Sequence, residues 1–276
     1  MKQWRILGIM LISAVLSVFI SNVILVKKQA LKTKTWEEGM TQFRTFDVDE
    51  GVILRYQKEQ KSHWLSSLTL NYLYQGCRLH EFGEINRYSM YARLLPEGLA
   101  DEYERQFACV LNDACYFPVP MDETKEVNIN YNNSWLGART YGGNRQHEGC
   151  DIMPDKNIDS YFPVQSMSDG VVEKLGWLEL GGYRIGIRSP SGAYYYYAHL
   201  SSYAYGLKAG DKVEAGQTIG KMGNTGYGPE GTSGKFQVHL HVGIYTNWKG
   251  EEISINPYRL LKYVEKNRKT FSPNTE

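Results

Sequence analysis

Two histidines near the C-terminal end of the chain have a spacing that suits metal chemistry. They lie in the run Phe236-Gln-Val-His-Leu-His-Val-Gly-Ile244. In a β-strand successive side chains alternate between faces, so His239 and His241 would share one face while the aliphatic residues around them pack in a core. Two adjacent imidazoles can bind a metal ion or act beside one. Alone, the motif favours two solvent-facing histidines, so other residues must decide.

A second motif, His147-Glu-Gly-Cys-Asp151, supplies an imidazole and a carboxylate at an even spacing. In an extended segment both lie on one face, so they and one histidine of the 239/241 pair could form a zinc site with two nitrogen ligands and one oxygen ligand. Three protein ligands leave a fourth position for water, which distinguishes catalytic from structural zinc sites. Bound zinc lowers the pKa of that water to about 7 and polarises a scissile carbonyl.

A fourth imidazole comes from Tyr197-Ala-His199-Leu200, at the end of a predicted strand. With one histidine of the 239/241 pair left over, two histidines could act beside the metal without binding it. The pKa range of histidine suits a base that takes a proton from water and a donor that stabilises an oxyanion. The residues alone leave open that the four histidines are dispersed.

The elements that would position these motifs are short β-strands separated by glycine turns. The chain has 27 glycines and 21 tyrosines, which suits a turn-rich β protein. Strands at this spacing predict an antiparallel sandwich or barrel, and a mainly β catalytic domain. The candidate strands are Val171 to Trp177, Tyr183 to Arg188, Ala193 to His199, Thr218 to Met222 and Gln237 to Tyr245.

The N-terminal part of the chain predicts a membrane anchor. The stretch from Ile6 to Val26 carries no charge and is long enough to span a bilayer as a helix. It ends in bulky residues without a good signal-peptidase site. Four lysines follow the run within residues 27–34, against Lys2 and Arg5 before it. By the positive-inside rule this count alone would place the body of the protein in the cytoplasm.

Residues 27–115 predict a mainly helical, membrane-proximal segment. Leu99, Tyr103, Phe107, Val110 and Leu111 form an apolar stripe at helical spacing, and Val52 to Tyr74 is also compatible with helix. The segment offers no chemistry of its own. A spacer, a clamp or a docking surface for envelope proteins all remain open.

Composition excludes some function classes. The chain has 31 basic and 30 acidic residues and a net charge of +1, which argues against a nucleic-acid partner. Its four cysteines have no metal-site or redox spacing, and a disulfide, with Cys109 and Cys115 closest in sequence, stays open. Cys150 lies within the His147–Asp151 motif, but strand alternation turns its thiol away from Asp151 and predicts a buried role.

Taken together in this order, the three histidine motifs resemble those of the lysostaphin-type (LytM-like) zinc metallopeptidases. The resemblance runs from about Phe117 to Tyr258, or about half of the chain. Glycine-rich stretches that support it are Asp169-Gly-Val-Val172, Gly182-Tyr183, Gly210-Asp-Lys-Val213, Gly216-Gln-Thr-Ile-Gly220 and Gly223-Asn-Thr-Gly226.

The resemblance implies a peptidoglycan endopeptidase with one zinc ion per chain. It implies His147, Asp151 and His241 as zinc ligands and His199 and His239 as catalytic histidines. In some members a tyrosine that helps to stabilise the oxyanion lies where Tyr141 stands here. The implied fold is an antiparallel sheet with the metal in an open groove.

One stretch departs from the family pattern. Tyr227 to Val238 is longer than the segment that precedes the last motif in many members, which puts substrate preference in doubt and leaves the ligands untouched. The Tyr194 to Tyr197 run could offer aromatic surface to a glycan, although packing of alternate rings in the sheet is the favoured interpretation.

These inferences predict four regions: an anchor at 1–26, the helical segment at 27–115, the metallopeptidase domain at 116–262 and a polar tail at 263–276. The predicted protein is a single-pass bacterial membrane protein whose catalytic domain is extracytoplasmic, because its implied substrate is the wall. The main alternative is a catalytically silent scaffold or activator of another wall hydrolase. A wall-binding module that does not cut peptide is a third reading.

Overall fold

A computed structural model describes residues 2–30, 36–83, 95–141 and 143–273. The chain divides into two compact units. Unit 1 comprises Met1–Gln42 and Asp47–Glu104, and unit 2 comprises Phe43–Phe46 and Arg105–Glu276. Each unit is described by itself.

Unit 1 is helical. Its first helix, α1 (Lys2–Ala30), contains the apolar stretch Ile6–Leu25, which has a mean hydropathy of 2.3 and no buried residue. This stretch is long and apolar enough to cross a membrane. The next helices are α2 (Trp36–Arg44), α3 (Glu50–Gln60) and α4 (Trp64–Tyr74).

The predicted helix over Val52 to Tyr74 is interrupted. A 3-10 turn at Lys61–His63 separates α3 from α4, and Lys61 has a φ of 44°. The apolar stripe that begins at Leu99 does form a helix, α5 (Leu99–Leu111), and its five stripe residues are buried as predicted. Residues of α5 up to Glu104 group with unit 1, and those from Arg105 group with unit 2.

Unit 2 is built on antiparallel β-strands and also contains helix α6 (Tyr258–Glu265), which lies before the last strand. Four of the five predicted strands form close to their expected bounds. The strands are β1 (Met121–Asp122), β2 (Ile129–Tyr131), β3 (Ala138–Arg139), β4 (Arg145–Gln146), β5 (Cys150–Pro154), β6 (Pro163–Gln165), β7 (Gly170–Leu178), β8 (Gly182–Arg188), β9 (Tyr194–Tyr203), β10 (Lys212–Val213), β11 (Thr218–Met222), β12 (Leu240–Trp248), β13 (Glu251–Ile255) and β14 (Thr270–Phe271).

The main sheet has ten strands, and all its pairs are antiparallel. Its central path runs β10-β7-β8-β9-β12-β5-β2, with β13 beside β12, β11 beside β9 and β6 beside β11. β3 and β4 form a separate hairpin, and β1 pairs with β14 in parallel. The prediction of a mainly β, antiparallel catalytic domain is confirmed.

The fifth predicted strand begins later than expected. β12 starts at Leu240 rather than at Gln237, because the backbone N–H of Val238 donates to the side chain of Asn157, at 2.7 Å, and not to a neighbouring strand. His239 forms an isolated bridge with Gly223. The alternation of faces nevertheless holds, since Val238, Leu240 and Val242 are buried.

Alternation also divides the tyrosine run of β9. Tyr195 and Tyr197 are fully buried on the core face, as predicted, while Tyr194 and Tyr196 lie on the opposite face. The thiol of Cys150 is fully buried, so its predicted orientation away from Asp151 is confirmed.

Candidate active site

Three of the side chains singled out by the sequence converge on one point. Asp151 on β5 lies opposite His241 on β12 in the strand register, and His147 directly follows β4, three residues before β5 begins. His147 Nε2, Asp151 Oδ1 and His241 Nδ1 are each 3.0 Å from the other two. The structure therefore brings together the three residues of the predicted zinc site.

The hydrogen bonding of these residues fits a metal site. His147 Nδ1 lies 3.1 Å from the carbonyl oxygen of Ser134, and an N–H donated there leaves the Nε2 lone pair facing Asp151 and His241. Two imidazole nitrogens and one carboxylate oxygen are the ligand types of catalytic zinc sites. The described residues hold a His-Asp-His group that could bind a metal ion.

The charge states of this group also favour a cation. Burial lowers the pKa of His241, so its imidazole is neutral and able to act as a ligand near neutral pH. Burial alone would raise the pKa of Asp151, but the adjacent imidazoles of His147 and His241 hold the pKa of that carboxyl well below its usual range. Asp151 is thus an anion at all physiological pH values.

His199 and His239 lie beside the three-residue group. Their ring centroids are 4.7 Å apart, and His239 Nε2 is 3.9 Å from Asp151 Oδ1. His199 Nδ1 bonds the carbonyl oxygen of Thr225 at 2.8 Å, and His239 Nδ1 bonds that of Gln237 at 2.8 Å. Because carbonyls only accept, each Nδ1 carries the proton and each Nε2 is left free to accept one.

Burial lowers the pKa of both histidines, and that of His199 falls well below its ordinary value. Neutral imidazoles can take a proton from water or from a substrate group. All four histidines that the sequence placed in the C-terminal half therefore lie in one site.

A β-bulge aims the side chain of His199. The register between β8 and β9 shifts so that Ala198 and His199 together lie opposite Arg184. His199 has a φ of 62°, in the left-handed region that non-glycine residues seldom adopt. Bulges next to functional sites redirect a side chain and leave one residue unpaired with the neighbouring strand.

Arg139, on β3, is a site residue that sequence reasoning missed. Its Nη2 lies 2.5 Å from Asp151 Oδ2, the carboxylate oxygen that faces away from the two histidines. The pair orients the carboxylate and leaves Oδ1 toward the histidines. No spacing rule links Arg139 to the His147 motif, so the sequence held no signal for it.

Tyr141 packs against Tyr227. Its hydroxyl donates to the carbonyl oxygen of Tyr227 at 2.5 Å, and the two rings stack with centroids 4.1 Å apart. The ring of Tyr227, in turn, lies 4.7 Å from that of Phe236. The oxyanion role of Tyr141 stays a prediction.

The four histidines, Asp151 and Arg139 line an open groove with a volume of about 790 Å³. Tyr227, Phe236 and Gln237 contribute to one wall, and they belong to the long stretch that precedes the last histidine motif. Tyr196 and Tyr245 contribute to the groove on the sheet side. A groove of this kind can accommodate an extended peptide along the surface of the sheet.

A family model for peptidase family M23 matches residues 145–257, the region that carries Asp151 and the four histidines of the site. Among solved structures, the chain is similar to a protein of Ruminococcus gnavus ATCC 29149 that carries the provisional name glycyl-glycine endopeptidase LytM. The sequences are 43% identical, the TM-score is 0.71, and the match covers 84% of this chain and 94% of that one.

Two curated proteins are similar to part of this chain. The L-Ala--D-Glu endopeptidase of Bacillus subtilis (strain 168) is 45% identical over 150 residues, which are 54% of this chain and 44% of that protein. The glycyl-glycine endopeptidase ALE-1 of Staphylococcus capitis is 36% identical over 123 residues, 44% of this chain and 30% of that protein. The chain thus spans less than half the length of either relative. On the site geometry and these matches, the chain belongs to peptidase family M23.

Proposed function

We propose that this protein is a zinc-dependent endopeptidase that hydrolyses peptide bonds in the stems or cross-bridges of peptidoglycan. The observation that carries the proposal is the meeting of His147, Asp151 and His241 at 3.0 Å, beside two further imidazoles in an open groove. The curated relatives are named for cutting different peptide bonds. They support the class of reaction and leave the bond open.

We assign His147 Nε2, Asp151 Oδ1 and His241 Nδ1 as the ligands of one zinc ion. Zinc, when bound, supplies a Lewis acid that polarises the scissile carbonyl and makes water acidic enough to lose a proton near neutral pH. Arg139 holds the second oxygen of Asp151, which fixes the carboxylate for single-oxygen ligation.

His199 and His239 are assigned as the catalytic histidines. Each has its Nδ1 proton held by a backbone carbonyl, so each can receive a proton at Nε2 without turning its ring. One takes the proton of the attacking water. The other, once protonated, donates to the oxyanion or to the departing amine. Tyr141 could join them only by releasing the carbonyl of Tyr227.

Two rival functions predict different results. A silent scaffold of this family would be expected to lack part of its ligand set, whereas all three ligands and both flanking histidines are present here. A wall-binding module would bind peptidoglycan equally well after zinc removal. Retention of the full constellation favours the enzyme.

We also propose that α1 anchors the protein in the bacterial membrane with the catalytic domain on the outer side, next to its substrate. The apolar stretch Ile6–Leu25 supports an anchor by length and composition. The segment 27–115 would then separate 116–262 from the membrane and could dock envelope proteins. A C-terminal tag should be digested by external protease in cells stripped of their wall; a protected tag would refute this orientation.

The activity itself is tested by incubating the full chain, in detergent, with purified peptidoglycan of several bridge types, with and without a zinc chelator. Mass spectrometry of released fragments should show stem or bridge peptides that disappear with chelator. An Asp151→Ala variant, treated identically, should release none. If the zinc-loaded chain releases nothing from any wall, the scaffold becomes the better account.

A further inference from the structure

The floor of the groove beyond the histidines is shaped by glycines and tyrosines. Gly186 and Gly243 lie on either side of Tyr196 in the register of β8, β9 and β12. The hydroxyl of Tyr194 occupies the place where a side chain at position 186 would begin, and the hydroxyl of Tyr196 occupies the same place above Gly181. The rings of Tyr194 and Tyr196 therefore pack flat against the sheet and form a shallow aromatic floor.

Arg184 lies at the level of the metal ligands on this floor. In the strand register, Asp151 on β5 pairs with His241 on β12, and His241 pairs with Ala198 on β9. Arg184 on β8 is next, opposite the bulge at Ala198 and His199. Strands are about 4.8 Å apart, so the backbone of Arg184 is about 10 Å from that of His241, the reach of about three extended residues.

Arg184 lines the groove without an anionic partner among the described residues, and it also lacks the hydrogen bonds that hold Arg145, whose guanidinium donates to the carbonyl oxygen of Tyr141 and the hydroxyl of Tyr227. Among the residues that the structure describes, no carboxylate lies within ion-pair distance of its guanidinium, and its Nη1 is buried without a hydrogen-bond partner. By contrast, Arg139 pairs with Asp151, and Arg188, on the same face of β8, pairs with Glu173 at 2.6 Å.

The surroundings of Arg184 make an unpaired charge costly. Arg184, Tyr194 and Tyr196 line the same groove. Burial raises the pKa of the Tyr194 and Tyr196 hydroxyls, and the charge of Arg184 partly opposes that rise. A partly desolvated cation without a counter-ion is unfavourable, and a carboxylate that arrives with a ligand would relieve it.

We propose that Arg184 binds a free carboxylate of the peptide substrate, on the floor of the groove about three residues from the bond that is cut. The inference rests on the proposed function and adds to it a preference for acidic stem peptides over neutral bridges. Three carboxylates of a stem peptide have this chemistry: the α-carboxylate of a γ-linked D-glutamate, the side carboxylate of a diamino acid and the C-terminal carboxylate. Lys174, which also lines the groove, adds to the positive charge there.

The test measures binding of synthetic stem tetrapeptides to the full chain in detergent, by calorimetry in the presence of chelator. Chelation prevents cleavage and removes any direct bond between a carboxylate and zinc. Wild type is compared with Arg184→Gln, and Arg188→Gln is the matched control because it removes a paired arginine from the same strand face. We expect Arg184→Gln to weaken binding about 10- to 100-fold, as for a lost charge-assisted pair, and Arg188→Gln to change it less than about threefold.

Three further peptides, each amidated at one carboxylate, identify the group. The amidation that weakens wild-type binding as much as Arg184→Gln does, and has no further effect in that variant, marks the carboxylate that Arg184 holds. Arg184→Lys keeps the positive charge but lacks the paired N–H donors of a guanidinium, so it should give an intermediate loss of affinity. This variant also replaces Arg184→Gln if that protein fails to fold. Equal binding of all peptides by wild type and Arg184→Gln would overturn the proposal. So would the same loss of affinity in Arg184→Gln for a fourth peptide that is amidated at all three carboxylates.

This result is separable from the proposed function. If the zinc-loaded chain cuts walls but binding does not depend on Arg184, the carboxylate site is wrong and the endopeptidase stands. If the chain cuts no wall yet binds acidic peptides through Arg184, the carboxylate site stands and the activity is wrong.

Discussion

Gly149 lies directly against the imidazole of His241. A Cβ atom at position 149 would be 2.5 Å from His241 Nε2 and 2.8 Å from the carbonyl oxygen of Val242. The first of these atoms belongs to the assigned zinc ligand and the second to the backbone of the strand that carries it. The absence of a side chain at 149 is therefore a condition for the position of His241.

Gly149→Ala should lose zinc affinity by at least about tenfold, because the ring of His241 must move and the carbonyl beside it cannot yield. Competition with a chromogenic chelator measures the affinity. Gly8→Ala is the control, since a Cβ there meets no atom within 4 Å. Unchanged affinity in Gly149→Ala would show that His241 is not a ligand or that β12 moves freely.

Substitutions of His239 and His241 should have different effects on bound zinc. His241→Ala should lose both zinc and activity, because two ligands hold the ion poorly. His239→Ala should keep stoichiometric zinc and lose turnover by about 10²- to 10⁴-fold, as expected when a proton-transfer group is removed. Equal loss of zinc in the two purified variants would refute this division of roles.

Arg139→Ala tests two opposing effects of one guanidinium on the metal site. Its positive charge should repel zinc, while its hydrogen bond orients Asp151. Removal of a group that orients a ligand typically costs about 10- to 100-fold in metal affinity or activity, so we expect weaker zinc binding. Arg145→Ala, in the partner strand of the same hairpin, is the control. Tighter binding in Arg139→Ala would mean that charge repulsion dominates.

The stability of the catalytic unit should depend on Asp122 at low pH. Burial alone would raise the pKa of this carboxyl, but hydrogen bonds from Thr124, Tyr161 and Val127 outweigh burial and lower it to about 2. A folded-state pKa below the unfolded value of 3.8 adds stability above pH 3.8, and that stability is lost as the pH falls toward 2.

Asp122→Asn should therefore melt at a lower temperature than wild type at pH 7. The free energy of unfolding should fall by about 1–3 kcal/mol, because the backbone N–H groups of Thr124 and Val127 and the hydroxyls of Thr124 and Tyr161 lose an anionic acceptor. The difference between the two proteins should shrink as the pH falls from 4 to 2. Thermal melts followed by circular dichroism at a series of pH values provide the measurement. A difference that grows on acidification would show that the sign is wrong.

The sequence was most informative where a residue's type and its strand parity both mattered. Parity placed His147 with Asp151 and His239 with His241 and turned Cys150 inward, while the choice of His241 over His239 as a ligand came from the family resemblance. In the structure His147, Asp151 and His241 converge, and Cys150 is buried. The bulge at His199 was not predictable, because a left-handed backbone at a histidine leaves no compositional mark. The late start of β12 depends on a side chain, Asn157, that is distant in sequence.

Arginine was the residue type on which sequence reasoning was weakest. Arg139 and Arg184 gain their meaning from the register of strands that no local pattern specifies. A long flexible side chain with one charge is usually a surface residue. Only the positions of its neighbours show whether it orients a metal-binding residue or binds a substrate group.

Residues Phe43–Phe46 group with the catalytic unit although about sixty residues of chain separate them from the rest of it. Within that unit Arg44 bonds Glu148 at 2.6 Å, its carbonyl accepts from Asn256, and Phe43 packs against Phe107 and Trp248. A protease that cut the chain between residues 47 and 104 would thus leave these contacts intact. Such a nick would yield a two-piece protein held by noncovalent contacts rather than a freely diffusing catalytic fragment.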